Sequence, residues 1–508
     1  VIGRATYTSA VEESCISQHV DTVCGVSQKW GPPPFREGYK WQESLIFSSQ
    51  PSAGVPGNLL GKAYNCYRLK ILRLLDPATP VGAYLRGSIK PMSKVDTVSG
   101  RDGERFIDAM KMSTSIGFPL SGPKSNICFD IEDPDHASAK DFPPAVWNAV
   151  EDAEKNFLEG KRATLVFKAF FKDEATKIGK DKVRVVQGAP IVLQLGVRKY
   201  FLPLARMLSL YPIHSECAVG INAESPEWHE LDNHIMKFGD KRVFAGDYSK
   251  YDLRMPAQLI LAAFRLLIEI AAECGYTATE QRIMRGYATE IAYAYTAYNG
   301  DLIKFSGSNP SGHNLTVYVN SIVNSLLVRC GFYSMYPRAE FDRWVAISTY
   351  GDDVKGTVHR RYAGFNHVSY AAFLADNDMM FTMPDKNADP TPFMDGEDCD
   401  FLKRKTFYNP DLKCKIGILD DDSIFKSLHC NLKSKVCTKQ QVAAQNIDGA
   451  IRAWAYHGRE IFNTRKAQMR LVAYKAGIDH ICKFLEADYD VFVSTWKEKY
   501  RGSASGRP

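Results

Sequence analysis

Apolar residues recur along this chain in two rhythms, a helical one in long stretches and a strand-like one in short runs. The helical rhythm covers Ile191 to Leu210, Leu259 to Ala272 and about Asn314 to Cys330, and each predicts a helix with a buried face. In the second of these, Arg265 and Glu269 interrupt the apolar face four residues apart, which predicts a surface ion pair on an amphipathic helix. In the third, Thr316, Asn320 and Asn324 fall at i, i+4 and i+8, a narrow polar stripe on an otherwise apolar segment. A buried asparagine is costly unless its amide is used, so the stripe is either a structural hydrogen-bond network or part of a site. Strand patterns appear at Val183-Arg184-Val185-Val186, at Val243 to Ala245, and at Val345 to Tyr350 followed by Val354 to Val358. The last two flank Gly351 and predict a hairpin.

Elsewhere the pattern is weaker. Clusters at Gly31-Pro32-Pro33-Pro34, Pro51 to Gly57 and Asp76 to Pro80 predict that the first hundred residues are extended and loop-crossing rather than a compact helical or sheet unit. Tyr370 to Asp378 predicts a helix, and Met383-Pro384-Asp385-Lys386 a turn. From about Tyr408 the expectation is a polar, Lys-rich loop region from Lys413 to Lys439, then helices over Gln440 to Ala455 and Arg465 to Leu485, a mainly helical terminal domain. A disordered tail is expected at 501–508.

Composition bounds these expectations without changing them. The 508 residues, 45% hydrophobic and 24% charged, are those of an ordinary globular protein of two or more domains or one multi-lobed enzyme. A net charge of +6 is too small to argue for a nucleic-acid partner, so the placement of charge must carry any such claim. Twelve cysteines without a C-x-x-C pair read as reduced, mostly buried thiols. His214 with Cys217, and His429 beside Cys430, each offer half a zinc site with nothing at suitable spacing to complete it. No transmembrane span or signal peptide is expected, and a start at Val1 rather than Met is expected of a product released by a protease.

Candidate chemistry begins at Gly351-Asp352-Asp353. Two adjacent carboxylates on a hairpin tip repel each other unless cations sit beside them, which argues for metal; the plain alternative is a polar turn. Asp247 stands at the end of a predicted strand, where sheet enzymes place ligands, and Asp252 lies five residues on; either could instead cap the turn. Between Lys168 and Lys199 the cations Lys168, Lys172, Lys177, Lys180, Lys182, Arg184, Arg198 and Lys199 face only Asp173, Glu174 and Asp181. Such a stretch suits a triphosphate or an RNA backbone, or is a solvated charged hairpin. Gly307-Ser308-Asn309-Pro310-Ser311-Gly312 is a loop running into the polar-striped helix, and Ser113 to Pro119 is a small-residue turn.

Taken in order, these residues resemble the RNA-directed RNA polymerases of picorna-like positive-strand RNA viruses, from about Ser113 to Lys405. Asp247 and Asp252 match that family's motif A, Ser311, Gly312, Thr316 and Asn320 its motif B, and Tyr350-Gly351-Asp352-Asp353 its motif C. Lys386 matches motif D, Phe401-Leu402-Lys403-Arg404 motif E, Lys172-Asp173-Glu174 with Lys182 and Arg184 motif F, and Thr114-Ser115 motif G. Where the family has Leu-Arg after Lys-Asp-Glu, this chain has Ala175-Thr176, and Lys177 is expected to take over that arginine's phosphate contact. His457-Gly458-Arg459-Glu460 resembles the insect and marine members.

The resemblance implies an α+β right-hand polymerase with fingers, a palm of antiparallel sheet plus helices, and a helical thumb. The expected divisions are fingers at 1–191 and 258–305, palm at 192–257 and 306–408, and thumb at 409–508. It implies two Mg²⁺ ions, with Mn²⁺ as a substitute, held by Asp247 and Asp352 with Asp353 at the edge. Asp252, Ser311 and Asn320 are expected at the ribose 2′-hydroxyl, with Thr316 in the same nucleotide site, and Lys172, Lys177, Lys182 and Arg184 on the triphosphate. Lys386 is expected to protonate pyrophosphate, and Thr114, Ser115, Gly312, Lys403 and Arg404 to contact template and primer RNA. Expected partners are RNA, nucleoside triphosphates, a viral protein primer and other replication proteins. These would hold the chain at membrane-associated replication complexes in the host-cell cytoplasm. The rivals are a reverse transcriptase, disfavoured by Asp252 and Asn320, and a non-catalytic RNA-binding protein, disfavoured by the intact aspartates.

Overall fold

At the centre stands a four-stranded antiparallel sheet in the order Val345–Tyr350, Asp353–Val358, Val243–Tyr248, Phe381–Thr382. Its computed structural model describes residues 8–35, 39–386 and 388–502 of the chain. The hairpin forms in the expected register, with Tyr350 opposite Asp353 and Val345 opposite Val358. Gly351 turns it at φ +61°, a conformation side chains disfavour. Val345, Ala346, Ile347, Val354 and Val358 are all buried, and so are Ser348, Thr349, Lys355 and Thr357 between them, so this pair of strands is covered on both faces.

One cover is the helix Thr316–Met335, which is buried on nearly every side from Val319 to Tyr333. A helix buried all round belongs inside a large core, and its polar side chains there need partners. It packs against Gly57–Leu72, Ala257–Glu273 and the strand Val345–Tyr350. The helix Ile191–Leu210 has the predicted limits. Arg265 and Glu269 pair at 2.9 Å, and Arg68 joins the same carboxylate at 2.6 Å.

A second sheet, in the order Asp301–Lys304, Tyr295–Tyr298, Val166–Phe171, Val185–Gly188, carries the basic stretch. The C-terminal part is a helical unit of Asp421–His429, Lys439–Ala455, Arg459–Lys475 and Tyr489–Lys499 with its own apolar core. Val20, from the N-terminal helix Ser17–Cys24, and Ile16 just before that helix sit in that core. Just before them Val11–Glu13 pairs antiparallel with Cys430–Leu432, and just after them Trp30–Gly31 pairs with Thr176–Lys177.

Three expectations are corrected. The first hundred residues are largely helical, with Tyr39–Ser49, Gly57–Leu72, Pro80–Ser88 and Lys94–Ser99. Their prolines start helices instead of precluding them: Pro56 precedes one, and Pro80 opens another while Thr79 caps it by accepting from Gly82 N. The Lys-rich region is not a loop. It holds the strand Cys414–Leu419, the helix Asp421–His429 and the strand Cys430–Leu432, because Cys414 and Ile416, then Ile424, Phe425 and Leu428, turn inward while the lysines face out. The last predicted helix is displaced: it runs Arg459–Lys475, and Tyr489–Lys499 follows as a separate helix.

All twelve cysteines are free thiols, but only five are fully buried and Cys15 is exposed, fewer inside than expected. His429 bonds Ser17 at 2.8 Å and the Val26 carbonyl at 3.0 Å. No described helix is long and apolar enough to cross a membrane. Of the tail expected to be disordered, 503–508 lies outside the described residues.

Candidate active site

Alternation along Val243–Tyr248 decides which side chains reach the cleft. Asp247 is 43% exposed at its mouth, whereas Tyr248 beside it is buried in the core. The hairpin brings Asp352 and Asp353 to the same place from the neighbouring strand, and Asp353 Oδ2 accepts from Leu402 N at 3.2 Å. Burial, and then the charges of Asp352 and Asp247, push the Asp353 carboxyl up to about 7. Asp352 is raised by the protein packed around it and by Asp247, with Arg184 opposing. Asp252 is pushed up to about 6, first by burial and then by Asp352.

Several carboxylates that raise one another's affinity for protons hold more negative charge than the protein compensates. Among the described residues no three His, Cys, Asp or Glu side chains close a ligand set by themselves. Asp247, Asp352 and Asp353 offer oxygen donors alone and are likewise not closed into a ligand set. Such donors suit a hard divalent cation that takes its remaining ligands from water or substrate.

Cations share a cavity with Asp247 and Asp352. Lys182 is held below the ordinary lysine range by burial and by Arg184, with Lys386 and Lys250 adding to it, so four positive groups stand near one another. Lys386 Nζ lies 3.6 Å from Asp247 Oδ2. Lys182, Arg184, Lys250 and Lys386 line one cavity with Asp247, Asp252 and Asp352. Lys172 is outside its lining: its ammonium is 3.3 Å from Glu174, and its N–H donates to the Arg184 carbonyl. Lys177 is further away, on the strand paired with Trp30, in a separate groove beside Pro32 and Pro34. Lys250 was not singled out from sequence. Its neighbours in the Asp247 to Asp252 run carried the motif, and its left-handed φ of +54° is a property of the turn alone.

The polar stripe divides by function. Asn320 Nδ2 donates to Asp252 Oδ1 at 2.7 Å, and Asn320 Oδ1 accepts from Asn309 Nδ2 at 2.8 Å. Asn309 Oδ1 in turn meets His313 Nε2 at 2.8 Å. Burial pushes His313 down to about 3, so its ring is neutral and Nε2 carries the proton, since Nδ1 accepts from Leu315 N. Asn309 and His313 were not chosen as site residues. The only signal was their place in a Gly/Ser/Asn/Pro loop, which reads as a plain turn. Thr316 opens the helix, and its hydroxyl turns back to the loop, within reach of the carbonyls of Pro310 and His313. Ser311 lines the cleft, and its hydroxyl accepts from Gln187 N at 3.1 Å. At Gly312 a Cβ would fall 2.1 Å from the Gln187 carbonyl oxygen, so the glycine lets this loop lie against Val185–Gly188.

Thr114 and Ser115 sit in a loop held from behind by the buried Lys124, whose ammonium donates to Thr114 Oγ1 at 2.7 Å and the Ser115 carbonyl at 2.9 Å. Lys403 and Arg404 line a groove on the other side of Asp352 and Asp353, with Asn222 and Glu224 across it. Lys403 is exposed, and it and Leu402 both take φ +57° in the tight turn closed by Phe401 and Arg404. Arg404 is partly committed within the protein, to the Gly417 carbonyl at 2.7 Å and to Glu224 at 3.5 Å.

The family model described as "Viral RNA-dependent RNA polymerase" matches residues 75–468. The replicase polyprotein of Drosophila C virus is 27% identical over 395 residues, 72% of this chain and 22% of that polyprotein. That of cricket paralysis virus is 26% identical over 346 residues, 64% of this chain and 19% of the polyprotein. The chain thus spans about a fifth of the length of these relatives. A solved structure, the Sicinivirus 3Dpol RNA dependent RNA polymerase, superposes with a TM-score of 0.73 at 17% identity, covering 98% of this chain and 97% of the other.

Proposed function

This chain belongs to the viral RNA-dependent RNA polymerase family and has its right-hand fold, and from that premise we propose that it copies RNA into RNA. It would add nucleotides from nucleoside triphosphates to an RNA 3′ end, for genome replication and transcription. The observation that carries this reading is one cleft lined by Asp247, Asp252 and Asp352 together with Lys182, Arg184, Lys250 and Lys386, with Asp353 next to Asp352 in the adjoining groove.

Asp247 and Asp352 would hold two Mg²⁺ or Mn²⁺ ions, with Asp353 at the edge. When bound, such ions favour ionisation of the primer hydroxyl and neutralise charge on the triphosphate. The protein's own groups do the rest. Arg184 and Lys182 orient the triphosphate, and Lys172 supports them through the Arg184 strand. Lys177, in its separate groove, has no such role in the geometry of this cleft. Lys386 holds a proton at Nζ and gives it to the leaving pyrophosphate. Asp252 and Asn320, joined to each other, recognise the ribose 2′-hydroxyl, and Ser311 faces the same space. Thr316, Gly312 and Asn309 keep that site in shape. Thr114 and Ser115 contact template backbone, and Lys403 meets the primer in the adjoining groove while Arg404 braces its turn.

The proposed divisions are fingers at 1–191 and 258–305, palm at 192–257 and 306–408, and thumb at 409–508. The hairpin Arg404–Asn409 with Cys414–Leu419 straddles the last boundary. A protein primer, other replication proteins and membrane-associated complexes in the host cytoplasm belong to the same proposal. The test is oligo(U)-primed UTP incorporation on poly(A), with and without Mg²⁺. Mg²⁺-dependent incorporation is expected. Its absence would refute the activity, and preferential use of dNTPs would point to a reverse transcriptase.

A further inference from the structure

Asn324, the third member of the polar stripe, takes no part in the chemistry above, yet it is completely buried. Its Nδ2 lies 3.0 Å from the Gly351 carbonyl oxygen, 3.1 Å from that of Asp352 and 3.2 Å from that of Asp353. Three successive carbonyls at a hairpin tip therefore point to one spot inside the protein, where without a donor their dipoles would repel and stay unsatisfied. On its other side Asn324 Oδ1 accepts from Tyr248 Oη at 3.0 Å, and that hydroxyl is 2.6 Å from Tyr370 Oη. The network fixes the orientation of the amide, since a flip would set its oxygen against three carbonyl oxygens. One turn earlier Ser321 Oγ accepts from Gly351 N at 2.9 Å, and the Ser321 carbonyl accepts from Thr349 Oγ1 at 3.3 Å.

Tyr248 directly follows Asp247, so the chain of contacts runs from the strand of one carboxylate, through Asn324, to the peptide planes of the other two. We propose that Asn324 is a positioning residue that sets the placement of Asp352 and Asp353 relative to Asp247. Its helix also carries Asn320, one turn away at the ribose pair with Asp252. The spacing between sugar recognition and the carboxylates is thereby fixed by one rigid element. The proposal rests on reading this cleft as the nucleotidyl-transfer site.

The test compares the full chain with Asn324→Ala, Asn324→Asp and Tyr248→Phe. Three quantities are measured: single-nucleotide incorporation on primed RNA, Mn²⁺ binding to the free protein by electron paramagnetic resonance, and thermal stability. Asn324→Ala is expected to lower kcat about 30-fold, within the hundredfold that an ångström of misplacement costs, with KM for NTP changed less than about threefold. Mn²⁺ binding should weaken about fivefold. Asn324→Asp, which keeps the shape but puts an acceptor at the focus of three carbonyls, should not rescue either quantity. Tyr248→Phe removes one hydroxyl and should lower kcat about fivefold in the same manner. If Asn324→Ala does not fold, Tyr248→Phe decides. Wild-type kcat and Mn²⁺ affinity in the folded variants, with only thermal stability reduced, would overturn the proposal. If the wild-type chain incorporates nothing, the activity is refuted and the Mn²⁺ measurement alone decides whether Asn324 positions the carboxylates.

Discussion

Asp352 and Asp353 are neighbours in sequence but differ in surroundings: Asp352 opens to the cleft between Asp247 and Arg184, while Asp353 is tied back to Leu402 N. Asp352→Asn is expected to abolish incorporation while RNA binding, followed by filter retention, persists; near-normal incorporation would remove Asp352 from the metal site. Asn320→Ala should raise the dNTP/NTP ratio of kcat/KM by about tenfold or more, because the buried partner left behind no longer rewards the hydroxyl. Asp252 has a folded-state value raised from 3.8 to about 6, so the folded protein binds its proton more tightly than the unfolded chain. That favours folding below about 3.8 and is lost as pH rises through about 6. Asp252→Asn should therefore raise Tm of the metal-free protein at pH 7.5, with the difference fading towards pH 4. The carboxylates, the glycine turn and the stripe spacing were legible in the sequence because each follows from local geometry. The commitment of Thr316 to its own loop and the presence of Asn309 and His313 were not. Their partners are set by a loop conformation that no periodicity records.

The hairpin at Gly351 is shaped from behind as well as from the cleft. The Glu216 carbonyl oxygen accepts from Thr349 N at 2.7 Å, and its carboxylate is gripped by Arg329 at 2.6 and 2.8 Å and by Lys70 at 2.9 Å. Burial alone would raise the Glu216 carboxyl, but Arg329 and Lys70 hold it down to about 2. It stabilises the fold above about 4.5 and loses that contribution only as pH falls towards 2. Arg329→Met leaves this buried carboxylate with one cation and should cost ~3 to 5 kcal/mol in urea unfolding at pH 7. A change under about 1 kcal/mol would show the pair to be dispensable. The hairpin and the three long helices could be read from sequence because their buried stretches are long and dense in apolar residues. The Lys-rich region misled for the opposite reason. Its strand and helix bury only one face, and charges dominate the pattern even though Ile416, Ile424 and Leu428 fix the structure.

On the scale of the molecule, the N-terminal segment holds distant parts together. Val11–Glu13 adds to Cys430–Leu432, and Asp173, in the basic stretch, accepts from Ser9 Oγ and Ala10 N, each at 2.6 Å. Removing residues 1–13 should shorten the lifetime of the complex with primed RNA about tenfold in a dilution assay, with less effect on the first incorporation step. An unchanged lifetime would make this pairing incidental. None of it was visible in the Pro- and Gly-rich sequence, because strand pairing between ends of a chain leaves no local mark. The same pairing sets a clock. Glu12 and its partner Asn431 are 419 positions apart, so a ribosome adding about 5–20 residues per second spends on the order of 20–80 s between them. Until then the segment beside Asp173 lacks its far anchor. Until residue 431 has been made, Val11–Glu13 has no strand to pair with.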